Sequence, residues 1–502
     1  MASKKRSSKH SGASLDQHHR EGKTLIPPYA RLPGKIELSS WRDDRLPEMV
    51  WATLICAQNK RDSYLSIFRE LADSAHDNQD IKCDGMGHSR FATLTDVQFD
   101  KLFDPILSSK DRLFQLSPLL LLKNLPDRDH WLRHLPILEE EETAWQLLGK
   151  GIAENLWHQS QAATDIRWLR VICLIASGKM HFAETMREHL REVMEYPTYG
   201  DMRKVRPSIR AAEMAFVVPE DGPTSGWPIA FWQECLNSTK CHPAPFRKPK
   251  AIKIERMADE AFKLYDAVSN HFYDSLKTTD IDPRMDGVFG MCLYAITLHI
   301  TLLSSGSHRR LQGRFFIRTI VEIYVTFAFL LKNDTETFWK RYRVHGNGQA
   351  KLAFLKLVDL SDSEVPSYVR PDELEQLANE DRWQEFLEID LGNWAKSDLR
   401  KMSEEAGVKP VYDKFYGWPS GYVHGHWGAV RDTVFDLCLN PLHRYHRVPA
   451  PPRLDMGSVA PDSVKLINLI LDQLSQAYPP FKARLRIKEP DTVTEAAPTS
   501  EK

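Results

Sequence analysis

Apolar positions recur at the helical interval through most of the chain and nowhere alternate for long, so the pattern predicts an all-α protein. From Trp41 onward, Leu46, Val50 and Leu54 keep the helical period, with Asp44 near the N-cap and Pro47 in the first turn. A second helix is predicted at 61–75, and Thr95 opens another that Pro105 ends or kinks. Further helices are predicted at 109–125, 139–158, 164–177, 181–194, 207–217 and 227–236. The second half continues the pattern at 254–277, 283–304, 311–332, 336–345, 349–360, 371–387, 393–405, 421–439 and 463–478. Within 311–332, Phe315, Ile317, Ile320, Val321, Tyr324, Phe327, Ala328 and Leu331 surround most of the helix, which predicts a central place in a bundle.

The pattern breaks once. Pro243, Pro245 and Pro249 exclude a continuous helix, and Lys240, Arg247, Lys248, Lys250 and Lys253 make the same stretch basic. A linker is therefore expected at 239–253, fitting a hinge or a phosphate contact. It would separate an N-terminal helical domain at 41–238 from a C-terminal helical bundle at 254–480. A disordered or extended tail is expected at 1–40 and a polar one at 481–502. The phrases HWLRHL and RWLRVI, around Trp131 and Trp168, leave the first domain as either an irregular bundle or a helical-repeat region.

Composition narrows the function classes. Lys plus Arg is 67 against Asp plus Glu at 68, so nucleic-acid binding would need a local patch. The seven cysteines are scattered without a CxxC pair, as for free thiols in a reducing compartment. Cys235, Cys241 and His242 lie close together, but no fourth ligand is evident, so no metal is expected there. The opening MASKKRSSKHSG is charged with no apolar run behind it, and no clean stretch of about 20 apolar residues follows. A cytoplasmic protein without a membrane contact is expected. No cofactor is expected either: GxxxxGK[ST], GxSxG, HExxH and the Rossmann glycine pattern are all missing.

Two segments could carry chemistry. Arg314, Arg318 and Glu322 share one face of the predicted central helix. They fit either a structural ion pair or an anion site, because a guanidinium donates to two oxygens at once. Residues 416–431, YGWPSGYVHGHWGAVR, interleave glycines and aromatics. There Ser420 is a candidate N-cap, Tyr422 and His426 are candidate substrate contacts, and His424 can move a proton near neutral pH. Packing at a helix crossing is the plainer account, and a His424–His426 metal pair would need Asp432 as its carboxylate. A second basic cluster, Arg341, Arg343 and His345 with Lys340 and Lys351, is placed at a helix end with a turn at Gly346 and Gly348. Dipole matching explains those cations as well as substrate binding does.

Residues 255–440 resemble a helical domain of unknown function common in bacterial genomes, on RTIVEIYVTFAFL with Arg318 and Glu322 and on the YVHG step at 422–425. Proteins of that group are similar to HEPN-like helical bundles and occur among defence and mobile-element genes. The run RDHWLRH, from Arg128 to His134, also resembles the signature of HEPN-type ribonucleases, although Pro126 and Pro136 exclude the long helix that family has there. The Trp41–Trp51 run resembles the leading region of bacterial proteins of similar length.

Two functional readings follow. In the first, the protein is a metal-independent endoribonuclease acting on RNA, as an anti-phage or toxin-like effector. Arg318 holds phosphate, His424 is the acid–base group and Glu322 orients it, with Arg314, Arg341, Arg343, His345, Ser420, Tyr422 and His426 contacting substrate. In the second, it is a non-catalytic scaffold that binds a protein partner through the N-terminal helices, with the C-terminal bundle supporting a homodimer. The first requires the Arg318 and His424 side chains to open onto one hollow.

Overall fold

The segment Val50–Gln58 is apolar on nearly every side and is buried from Val50 to Ala57, which makes it the innermost helix of the N-terminal half. In the computed structural model, residues 18–22, 24–26, 39–78, 81, 85–180, 186–215, 226–245, 249, 254, 256–277, 279–361, 363–381 and 383–486 are described. They are predominantly α-helical, with two small antiparallel sheets of three-residue strands, His19–Glu21 with Thr24–Ile26 and Phe435–Leu437 with Arg447–Pro449. The chain divides into two compact units. Unit 1 is Met1–His242 together with Cys438–His446, and unit 2 is Pro243–Leu437 together with Arg447–Lys502. The 438–446 stretch thus belongs to unit 1, although its sequence neighbours on both sides belong to unit 2. Of the expected linker and tails, residues 1–17, 23, 27–38, 246–248, 250–253 and 487–502 lie outside the described residues, as do Cys83 and parts of the helices expected at 181–194 and 207–217.

In unit 1, Val50–Gln58 packs on Glu141–Asn155, and Arg61–Asp77 packs on Gln161–Ala176. Gly151 fits the first pair, since a Cβ there would stand 2.9 Å from the Thr53 carbonyl oxygen. The first helical stretch begins at Trp41 with Ser40 as its N-cap: the Ser40 hydroxyl accepts from the Asp43 amide at 3.0 Å, and the nearby Asp44 carboxylate accepts from the Ser40 amide at 2.6 Å. Thr95 and Gln98 form a reciprocal capping box, and Pro105 starts the separate turn Asp104–Leu107. Trp131 and Trp168 do not mark a repeat. One lies in the five-residue helix Arg128–Leu132, which Pro126 and Pro136 confine, and the other in the 16-residue helix Gln161–Ala176. Unit 1 also buries charge. Glu213 is ion-paired with Arg45, Arg167 and Arg170, and Asp165 accepts from Arg61, Tyr64 and Tyr196.

Unit 2 is built on Gln312–Lys332. This helix packs with Pro283–Ser304 and Ala460–Ala477, while Met257–Ser275 covers Pro283–Ser304. Against the expectation of no such stretch, Pro283–Ser304 is by length and composition apolar enough to cross a membrane, but its inward face, including Val288, Phe289, Cys292, Ala295 and Ile296, packs in this bundle core. Several boundaries differ from expectation: the helix expected at 371–387 stops at Ala378, the one expected at 393–405 starts at Leu399, and Lys409–Phe415 is an additional helix. Glu336–Leu357 is one continuous helix through Gly346 and Gly348. Gly348 serves a close approach instead of a turn, because a Cβ there would lie 3.0 Å from the Glu388 carbonyl oxygen. Conversely, the helix expected at 421–439 is two short ones, Gly417–Val423 and Trp427–Val434, separated where Gly425 takes φ +61°.

Candidate functional site

The Gly417–Val423 helix packs directly against Gln312–Lys332, so the arginine helix and the glycine–aromatic segment meet within unit 2. Their side chains interlock in two layers. In the first, Arg318 pairs with Glu322 at 3.1 Å and donates to the Tyr416 hydroxyl at 3.2 Å, and that hydroxyl donates to Glu322 at 3.3 Å. The guanidinium also lies over the Tyr416 ring, which stacks on Tyr412. Burial opposes the Arg318 charge, but the Tyr416 hydroxyl and Glu322 outweigh it and hold the group above its ordinary value.

In the second layer, Arg314 donates to the carbonyls of Gly457 at 2.9 Å and Arg310 at 3.2 Å and lies over the Tyr422 ring. The Tyr422 hydroxyl donates to Asp432 at 2.5 Å. Burial, with this bond second, pushes the Tyr422 phenol up to about 12. Asp432 is thereby engaged away from any His424–His426 metal pair. Ser420 is not an N-cap: it lies inside Gly417–Val423, where its amide donates to the Tyr416 carbonyl and its carbonyl accepts from His424.

The turn at Gly425 puts His424 and His426 outside. Both are exposed, and their rings lie 5.8 Å apart at a shallow angle. They have no side-chain hydrogen bond among the described residues. Trp418 and Trp427, 58% and 64% exposed, flank them, and Arg431 is exposed on the same helix as Trp427, one turn further on. Arg318 contacts Tyr416 and Glu322, and among the described residues no contact joins its guanidinium to the His424 imidazole that was expected to share a hollow with it.

The members of the second basic cluster each have a separate partner within unit 2. Arg343 is ion-paired with Asp286, Glu380 and Asp381, His345 bonds the Gly392 carbonyl, and Arg341 lies over Phe338. In unit 1, Arg128 donates to the carbonyls of Leu120 and Leu122 while His134 bonds Asp100, so the HEPN-like run is held by separate local partners. The zinc reading of Cys235, Cys241 and His242 also changes: Cys235 is buried in the unit 1 core, whereas Cys241 converges with Cys438, His443 and His446. The sequence carried a signal for this group in the C-x4-H-x2-H spacing of 438–446, and for the surface patch in the tryptophans that bracket HGH.

Comparison with known proteins bears on this region alone. A family of unknown function, DUF5677, matches residues 299–437, which include both the arginine helix and the histidine turn. No curated protein and no solved structure matches the chain, so unit 2 is similar over 299–437 to a family whose activity is itself unknown.

Proposed function

We propose that unit 2 binds single-stranded RNA on the surface formed by Trp418, His424, His426, Trp427 and Arg431, and that it cleaves the strand by general acid–base catalysis. The observation that carries this reading is the pair of exposed imidazoles, 5.8 Å between ring centroids, with an exposed indole on either side of them in the sequence. Indole faces stack on unpaired bases without regard to sequence. Arg431 supplies charge for a backbone phosphate. One imidazole takes the proton of the ribose 2′-hydroxyl as its oxygen attacks phosphorus, and the other gives a proton to the leaving 5′-oxygen. The products are a 2′,3′-cyclic phosphate and a 5′-hydroxyl. Arg318, Glu322 and Tyr416 position the segment and do not touch the substrate. Such an activity suits an effector of anti-phage defence or a toxin.

The test is incubation of the purified chain with a labelled single-stranded RNA, comparing wild type with His424→Ala and His426→Ala. Cleavage in the wild type and its loss in both variants support the reading. Undiminished cleavage in both variants overturns it.

A second reading, a non-catalytic binding module, is favoured by one observation: Arg318 and Arg343 are matched by carboxylates within the unit, which occupies the guanidinium groups that would otherwise hold a phosphate. RNA retained without cleavage by the wild type would select it.

A further inference from the structure

The structure assigns a structural zinc site to unit 1, formed by Cys241, Cys438, His443 and His446. The ligand atoms of these four side chains all lie within 4.8 Å of one another. The Cys241 sulfur is 3.4 Å from His443 Nδ1 and 3.3 Å from His446 Nε2, and the Cys438 sulfur is 3.6 Å from His443 Nδ1. A tetrahedral zinc ion, with Zn–S about 2.3 Å and Zn–N about 2.0–2.1 Å, sets sulfur and nitrogen ligands about 3.6 Å apart. The spacing is that of a ligand shell, and two Cys with two His is a donor set that zinc favours over harder cations.

The surroundings orient His443 for this role. Its Nε2 lies 2.9 Å from the Thr239 hydroxyl oxygen. That hydroxyl has one proton, which it donates to the Cys235 carbonyl at 2.7 Å, and its oxygen also accepts from Asn440 Nδ2 at 3.0 Å. In the Thr239 contact, therefore, His443 Nε2–H is the donor. A neutral imidazole protonated there presents its Nδ1 lone pair to the two sulfurs, as a metal-bound histidine does when its other nitrogen is anchored. Without a cation, that one lone pair faces two thiols and can accept from only one S–H at full strength. The His242 amide donates to the Cys438 sulfur at 3.4 Å, a contact that favours a thiolate.

The backbone is bent to bring the ligands together. Between the two histidines, Arg444 and Tyr445 both take positive φ, +53° and +52°, a costly conformation for residues with side chains. Arg444 is fixed by Asp43 at 2.8 Å and lies over Trp232. Asn440 accepts from the Leu442 amide and donates to the Lys240 carbonyl. Four protein donors leave no open position, so the ion would be structural and not catalytic. It would fasten 438–446 to the end of the Trp227–Ser238 helix across a chain separation of 202 residues. The site is independent of the RNA reading, which concerns unit 2.

The experiment is metal analysis of the full chain purified under reducing conditions without chelator. About one zinc per chain is expected, falling to near zero in Cys241→Ser and Cys438→Ser. Because Cys438 is buried and its variant could fail to fold, the exposed Cys241 supplies a second readout in the wild type: its thiol should resist a maleimide until a chelator is added, then react. Replacement by Co2+ should bring thiolate-to-cobalt charge transfer and the strong d–d bands of a tetrahedral site. Three results each overturn the proposal: no zinc after reconstitution with Zn2+, zinc undiminished in Cys241→Ser, or a cobalt spectrum without thiolate charge transfer.

Discussion

His443 and His446 in unit 1 and His424 and His426 in unit 2 are pairs of the same side chain in the same stretch of sequence, yet their surroundings differ in every respect. His443 is buried, anchored on one nitrogen by Thr239 and faced on the other by two cysteines, and His446 bears on one of those sulfurs. His424 and His426 face solvent, and in the sequence they lie between two exposed tryptophans. An imidazole whose two nitrogens are both committed cannot cycle a proton, and one without partners holds no ion firmly. Chemistry is therefore decided by the neighbours. In unit 1 Thr239 and Cys241 are brought from 204 and 202 residues away to join the local Cys438, and in unit 2 the neighbours are local.

The comparison breaks most directly by exchanging the readouts. His424→Ala should lower RNA cleavage by about 10²–10⁴-fold, the usual worth of a general acid or base, with zinc content unchanged. His443→Ala should lose zinc and cleave at close to the wild-type rate. If both variants lose both properties, the two pairs do not act separately.

Charge sharpens the contrast next. Glu213 and Arg167 are 1% and 4% exposed at the side chain, and burial pushes the Arg167 guanidinium down to about 9 against the pull of Glu213. Glu213→Ala leaves buried cations unmatched and should cost about 3–5 kcal/mol in denaturant unfolding. A loss under about 1 kcal/mol would mean that water reaches this network.

Unit 2 has its own enclosed imidazole, His299, bonded at Nδ1 to the Ser463 hydroxyl and held down to about 4 by burial. The folded state then binds fewer protons than the unfolded chain between about pH 6.5 and pH 4. Its contribution is complete above about 6.5 and is lost as the pH falls toward 4, by about 3 kcal/mol in all. His299→Gln should flatten the slope of unfolding free energy against pH in that window, and an unchanged slope would assign it to other groups.

The smallest effect is expected at the partly exposed Arg318–Glu322 pair. Glu322→Gln should cost about 0.2–1 kcal/mol, and thermal unfolding measures it. A much larger loss would make this pair as dependent on burial as Glu213.

Part of this was legible in the sequence. Helicity and the bundle role of Gln312–Lys332 follow from periodicity, because an apolar side chain every third or fourth residue has to be covered. The i,i+4 pairing of Arg318 with Glu322 is equally local. The glycine at 425 was visible, but not that it would cut one expected helix into two and turn both histidines outward.

What the chain order settles by itself is which segments coil and which face each one must hide, since both are properties of neighbours within a few residues. Only the fold decides that Cys241 meets Cys438, His443 and His446, that Glu213 meets three arginines, and that Arg343 is cancelled by three carboxylates. Those meetings join residues far apart in the chain, and no local period encodes them. For the buried Glu213 the reason is that a charge taken out of water has to be matched, and packing the apolar faces fixes which arginines can match it.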